Sequence, residues 1–60
     1  MILAVRKTDK AVFENFACDG LAPIIYLKDL SGKEFKAFEG DYYIVTESNP
    51  KFEEYKKARV

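Results

Sequence analysis

The stretch from residue 24 to residue 46 constrains the fold most, because two glycine-containing turns divide it into three runs of strand-forming residues. The runs cover Ile24–Leu30, Lys33–Glu39 and Tyr42–Glu47. Aromatic and β-branched residues are common in all three, and such residues are enriched in strands. The stretch therefore predicts a three-stranded antiparallel meander.

Charges and apolar residues fix the register of the first hairpin. A three-residue loop, Leu30-Ser31-Gly32, places Lys28 opposite Glu34 and Leu27 opposite Phe35, so that each residue meets a compatible partner. A two-residue loop would place Asp29 against Glu34 and Leu27 against Lys36. The sequence favours the three-residue loop, with Gly32 in the left-handed conformation that costs glycine least.

The second turn is predicted at Gly40-Asp41, with glycine in the first central position of a type II′ turn. This register pairs the second and third runs and gives the meander two faces. The predicted core face consists of Ile25, Leu27, Phe35, Ala37 and Ile44. The predicted partner-binding face consists of Tyr26, Lys28, Lys36, Phe38, Tyr43 and Val45, with Ile24 beside them.

This second face is too apolar for an ordinary solvated surface, and three interpretations compete. A helix could cover it as a second core layer. It could be a protein interface or a homodimer contact, since interfaces combine an apolar centre with a polar rim. Alternatively, Tyr and Phe could stack on the bases of a single-stranded nucleic acid while Lys28 and Lys36 meet phosphates.

The flanking segments decide the fold class. Residues 2–7 predict a first strand, and Asn49-Pro50 predicts the start of a C-terminal helix over 50–59. Residues 9–19 fit a short helix, because Val12, Phe13 and Phe16 share one arc; as a strand they would pair Leu3 with Glu14 and Lys7 with Lys10, which match poorly. The prediction is a single α+β domain over 1–60, a meander of three to four strands with two helices. The alternative is a five-stranded SH3-like or OB-like small barrel with a C-terminal helix.

Composition excludes several functions. The chain has ten basic and ten acidic residues, no histidine and one cysteine. A balanced charge removes the attraction that drives nonspecific nucleic-acid binding, and the absence of histidine excludes an imidazole base. Cys18 cannot form an internal disulfide, which favours a reducing, cytoplasmic setting. Residues 1–5 are apolar but end at Arg6, too short for a membrane span. No metal or cofactor site is predicted.

One local resemblance exists. Leu27-Lys28-Asp29 together with Gly32-Lys33-Glu34-Phe35 resembles the first motif of Sm-like RNA-binding barrels. The matching residues make up less than a quarter of the chain, and the second motif of that family is absent. No function is carried over from it.

The sequence thus predicts a small, stand-alone, non-enzymatic protein that acts by binding another protein, as an accessory, regulatory or inhibitory factor, and as a homodimer. A virus or mobile element, such as a phage, is the source we expect for such a chain. The alternative function is a small single-stranded DNA- or RNA-binding protein that uses the same aromatic and lysine face.

Overall fold

The computed structural model describes residues 1–60 and contains five strands, a short 3-10 turn and one helix. The strands are β1 (Leu3–Arg6), β2 (Val12–Cys18), β3 (Ile24–Lys28), β4 (Glu34–Phe38) and β5 (Tyr42–Val45), and the helix is α1 (Phe52–Lys57). One antiparallel sheet holds all five strands in the order β4-β3-β2-β1-β5. The α+β class is confirmed, and the strand count is that of the five-stranded alternative.

The β3–β4 hairpin has the register that the sequence predicts. Lys28 lies opposite Glu34, and Leu27 opposite Phe35. Gly32 has a φ of 89° and donates its N–H to the Asp29 carbonyl at 3.1 Å, which closes the three-residue loop. The Asp29 carboxylate accepts hydrogen bonds from the Ser31 hydroxyl, then from two backbone amides of the loop, and these bonds lower its pKa.

The predicted hairpin at Gly40-Asp41 is wrong. Residues 39–41 form a 3-10 turn that carries the chain away from β4, and Gly40 does not have the positive φ of a type II′ turn. β5 pairs with β1 instead, with Leu3 opposite Val45. β4 and β5 are consequently the two edges of the sheet.

The helix predicted over 9–19 is also wrong, because Val12–Cys18 is strand β2. Its pairing with β1 places Leu3 opposite Glu14, the register that appears unfavourable from sequence alone. The loop that connects the two strands has an ion pair of its own. Arg6 donates to the Asp9 carboxylate at 2.8 and 2.9 Å, and Lys10 adopts a φ of 65° to re-enter the sheet.

Side chains from both surfaces of the sheet are buried, in two clusters. The first lies under α1 and contains Leu3, Val5, Val12, Val45 and Phe52, with Tyr55 against it. The second lies on the concave surface and contains Ala4, Phe13, Ile25, Leu27 and Tyr42. Phe13 contacts Phe35 near one edge, with ring centroids 5.1 Å apart, and Tyr42 near the other, at 6.4 Å. The sheet is therefore curled like a small barrel around Phe13.

The C-terminal helix is confirmed, although it is shorter than predicted. Asn49 accepts the Lys51 amide through its side chain at 2.8 Å, and Phe52 then enters the first cluster. After the helix, the chain lies along β2, where Val60 donates its N–H to the Val12 carbonyl at 3.1 Å. The tail also accepts the Leu30 amide at 2.9 Å, which fixes it to the loop of the β3–β4 hairpin. This helix is too short to cross a membrane.

Candidate functional site

The convex surface of the sheet is only half covered. Helix α1 packs over β1, β5 and the start of β2, through Phe52 and Tyr55. The other half, formed by the end of β2 and by β3 and β4, has no covering element. It presents an aromatic face that we define by Phe16, Tyr26, Lys28, Lys36 and Phe38.

Four residues of this face are among those that the sequence predicts for partner binding. Tyr26 and Lys28 project from β3, and Lys36 and Phe38 project from β4 on the same surface, with Tyr26 directly opposite Lys36. Phe38 is 63% exposed, a large value for a phenylalanine in a strand. Side chains alternate between the two surfaces along each strand, and the register of this hairpin is the predicted one. The four residues therefore share one surface.

The remaining two predicted residues lie elsewhere, because β5 pairs with β1 and not with β4. Val45 is only 4% exposed and belongs to the core under α1. Tyr43 is exposed, but at the far edge of the sheet, where the ammonium groups of Lys7 and Lys10 lie 5.1 and 5.2 Å from its ring centroid. Val45 is thus excluded from the site, and Tyr43 forms a separate cation–π cluster.

Phe16 belongs to the face although the sequence assigns it to a helix. The pairing of β2 with β3 shifts between Asn15 and Ala17, so Phe16 is the extra residue of a β-bulge. With its amide nitrogen turned toward them, Asn15 donates to the carbonyls of Ala17 at 2.8 Å and Tyr26 at 3.3 Å. These bonds hold the bulge. No residue pattern in β2 marks a bulge in advance, which is why the sequence misses this residue.

The aromatic side chains contact one another and the neighbouring cations. The rings of Phe16 and Tyr26 have centroids 6.4 Å apart and planes inclined by 47°, and the Lys28 ammonium lies 5.5 Å from the Phe16 centroid. Such a lysine packs its methylene chain along apolar surface while its charge stays in water. Phe16, Tyr26 and Lys28 thus form a continuous surface with both apolar and cationic character.

An open groove of about 380 Å³ lies beside Tyr26 and Phe38. Ile24 contributes its apolar wall, while Lys36 and Asp19 contribute charges of opposite sign. The Asp19 carboxylate accepts the Leu21 amide at 2.9 Å, so the loop after β2 orients it. The groove can therefore take an apolar side chain flanked by polar groups of either charge.

Other chemical groups are dispersed. Cys18 is a free, exposed thiol at the end of β2. No three His, Cys, Asp or Glu side chains lie close enough together to hold a metal ion. The carboxylate with the most strongly perturbed pKa, Asp9, bonds Arg6 in a turn remote from the groove. The aromatic face holds both of the exposed phenylalanines, Phe16 and Phe38.

Comparisons of the chain with protein-family models, with curated proteins and with solved structures found no match.

Proposed function

We propose that this protein is a non-enzymatic binding protein whose aromatic face takes another protein. One observation carries the proposal: α1 covers half of the convex sheet surface, and on the other half Phe16 and Phe38 stay exposed beside the half-buried Tyr26. Contiguous exposed aromatics are characteristic of protein interaction sites, where Tyr and Phe are enriched. The protein then acts as an accessory, regulatory or inhibitory factor, by occupying a surface of its partner.

The charges around the face favour a protein partner over a polyanion. Lys28 and Lys36 lie on the face itself, but Glu34 is opposite Lys28 and Asp19 lines the groove beside Lys36. Carboxylates at these positions repel phosphates, and the chain has no net charge to supply long-range attraction. A protein surface that offers an apolar side chain with polar groups of both signs is the complementary partner.

A second candidate is supported by the contact of Lys28 with Phe16. Aromatic rings with adjacent cations also bind single-stranded nucleic acid, since bases stack on the rings and phosphates meet the lysines. Phe16, Tyr26 and Phe38 could stack bases in this way. This function predicts a strong dependence of affinity on salt, which the protein-binding function does not.

The proposal includes self-association and a cytoplasmic location. An exposed, unpaired thiol at Cys18 persists in a reducing compartment, which supports the location. A domain of this size buries a small core, and association between copies adds to it. The two properties are consistent with a small factor that meets its partner inside a cell.

Affinity capture from the organism of origin tests the protein-binding proposal. The bait series is the wild type, Tyr26→Ser with Phe38→Ser, and the control Tyr43→Ser, which removes an exposed tyrosine outside the face. We expect one partner to bind the wild type and the control but not the double variant. A partner retained equally by all three baits would contradict the proposed face.

Titration with short single-stranded DNA and RNA tests the second candidate. Chemical-shift changes at Phe16, Tyr26 and Lys36, with affinity that falls steeply as salt rises, would establish nucleic-acid binding in place of protein binding. Unchanged spectra with both oligonucleotides would exclude it.

A further inference from the structure

Strand β4 is an open edge with a defined set of free backbone groups. Asp29 donates its N–H to the Lys33 carbonyl at 3.1 Å, and Glu39 donates to the Pro23 carbonyl at 2.9 Å, so the odd-numbered residues of this segment face β3. In an antiparallel pair the backbone groups of successive residues point alternately toward and away from the neighbour. The N–H and C=O groups of Glu34, Lys36 and Phe38 therefore point out of the sheet.

Charged side chains, Glu34 and Lys36, are the one device that protects this edge. Proteins also block edge strands with prolines, bulges or a covering element. β4 has no proline, pairs with β3 over all five residues without a shift of register, and has no element beyond it. It can accept another strand by β-augmentation.

We infer that the strand it accepts is β4 of a second copy of the chain, antiparallel, with Glu34 of each copy opposite Lys36 of the other. The two-fold axis then passes through Phe35, perpendicular to the sheet. Because Glu34 and Lys36 both direct their backbone groups outward, these two pairs exchange four N–H···O=C bonds. The same pairs bring together opposite charges on one face, twice.

Charge complementarity selects this register over its neighbours. Moving the axis to Lys36 places two lysines directly opposite each other, and moving it to Glu34 does the same with two glutamates; like charges in directly opposed positions are destabilising. An axis at Ala37 pairs Lys36 with Phe38 and leaves Glu34 without a cation. A shift by one residue sends the side chains to the wrong faces.

Two further contacts fit the register centred on Phe35. On the concave surface, Phe35 meets its own copy in a non-hydrogen-bonded position, where side chains come closest. On the convex surface, Phe38 lies opposite Gly32 in the loop before β4, where an added Cβ would meet no atom within 4 Å.

The proposed function includes self-association, and this pairing says where the two copies meet. The inference rests on self-association and not on the rest of the proposed function. A two-fold axis perpendicular to the sheet keeps both aromatic faces on the same side. The ten strands then form one continuous sheet, and the Tyr26 and Phe38 side chains of both copies line a single surface. The dimer thus offers a partner two aromatic faces on one surface, with the Glu34–Lys36 pairs between them.

Charge exchange tests the register with the free protein. Sedimentation equilibrium is measured from micromolar to millimolar concentration for the wild type, Lys36→Glu, Glu34→Lys and the double variant E34K/K36E. Both residues are exposed in the monomer, and circular dichroism verifies that each variant is folded. We expect a concentration-dependent wild-type dimer, dissociation constants raised on the order of tenfold or more in each single variant, and recovery in the double variant.

Three outcomes would overturn the inference: a wild-type monomer at every concentration, single variants that dimerise like the wild type, or a folded double variant that stays monomeric. Slowed exchange of the Glu34 and Lys36 amide protons on dimerisation, with Lys33 and Phe35 unchanged, is the corresponding backbone result. Failure here leaves partner capture by Tyr26 and Phe38 untouched, so the two proposals fail separately.

Discussion

The Arg59 Nη2 atom donates to Glu14 Oε1 at 3.4 Å, so that the C-terminal tail supplies the counter-charge for a carboxylate in the middle of the sheet. Glu14 lies opposite Leu3 on one side and Lys28 on the other. The Arg59 side chain is only 12% exposed. The pair therefore links the two halves of the convex surface, the half under α1 and the aromatic face.

Glu14→Gln tests this link. We expect it to lower the free energy of unfolding by about 1 to 3 kcal/mol, because it leaves the Arg59 cation largely buried without a counter-charge. Urea denaturation measures the change. Glu39→Gln removes an exposed carboxylate that makes no ion pair, and we expect a change within about 0.5 kcal/mol.

A double-mutant cycle with Arg59→Met completes this test. Removing both charges leaves no unpaired charge, so we expect the double variant to be less destabilised than the sum of the two single variants. Additive effects would show that Arg59 and Glu14 do not interact in solution.

Two isoleucines that the sequence places in the same core differ in burial in the structure. Ile25 is 1% exposed and Ile44 is 41% exposed. We expect Ile25→Ala to lower the free energy of unfolding by about 2 to 5 kcal/mol, through lost burial and a cavity, and Ile44→Ala to lower it by less than about 1 kcal/mol. Chemical denaturation of both variants measures the two losses of stability. Equal losses would contradict the placement of β5.

Two glycines give a matched test of the turns. Gly32 has a φ of 89°, and a Cβ there would meet no atom within 4 Å, so the effect of Gly32→Ala is purely conformational. We expect that variant to be destabilised by about 1 to 2 kcal/mol. Gly40→Ala, in the 3-10 turn, should be neutral or slightly stabilising because it restricts the unfolded chain. A large loss at Gly40 would instead support a type II′ turn.

The Asp9 carboxylate makes stability depend on pH in acid. Its hydrogen bonds with Arg6, and then with the Ala11 amide, lower its pKa from 3.8 to about 2. A depressed folded-state pKa gives stability that is present above the ordinary pKa and is lost as pH falls toward the folded one. Asp9→Asn keeps a side-chain oxygen that can accept the Ala11 amide but removes the negative charge. We expect the difference in thermal midpoint between wild type and variant to shrink as pH falls from 3.8 to 2.

A constant difference between these two proteins over that pH range would contradict the Arg6–Asp9 interaction. NMR titration of the Asp9 carboxyl group gives an independent measurement, with an expected pKa of about 2.

The β3–β4 hairpin was predictable because its determinants are local. Gly32 sets the loop, and the facing pairs, such as Lys28 with Glu34, lie within a few residues of it. The four site residues on these strands follow from that register. Strand alternation and turn chemistry are sufficient to predict a pairing between segments this close in sequence.

The placement of β2 was not predictable in the same way, since its compensation comes from a distant residue. Opposing Leu3 to Glu14 is a poor match until Arg59, 45 residues further on, contacts the carboxylate. Because β2 is a strand, Val12 and Phe13 point to opposite surfaces of the sheet and are buried in different clusters. Other parts of the chain complete each cluster. Sequence periodicity alone cannot show that both surfaces have a cover.

The position of β5, and with it Tyr43 and Val45, was likewise set by a distant partner. The turn at Gly40 is compatible with a hairpin, but Val45 gains a buried site beside Leu3 and Phe52 only by crossing to β1. Competition between a local and a non-local pairing is decided by the core, which tertiary packing creates.

The pairing of β1 with β5 has a consequence for the order of folding. The β1–β2, β2–β3 and β3–β4 hairpins each close short loops, whereas joining Leu3 to Val45 closes a loop of more than half of the chain. The entropy of closing a loop rises with its length, so this ladder forms after the hairpins. Until it does, Leu3 and Val5 are open to other chains, and the newly made protein is most prone to aggregate in that interval.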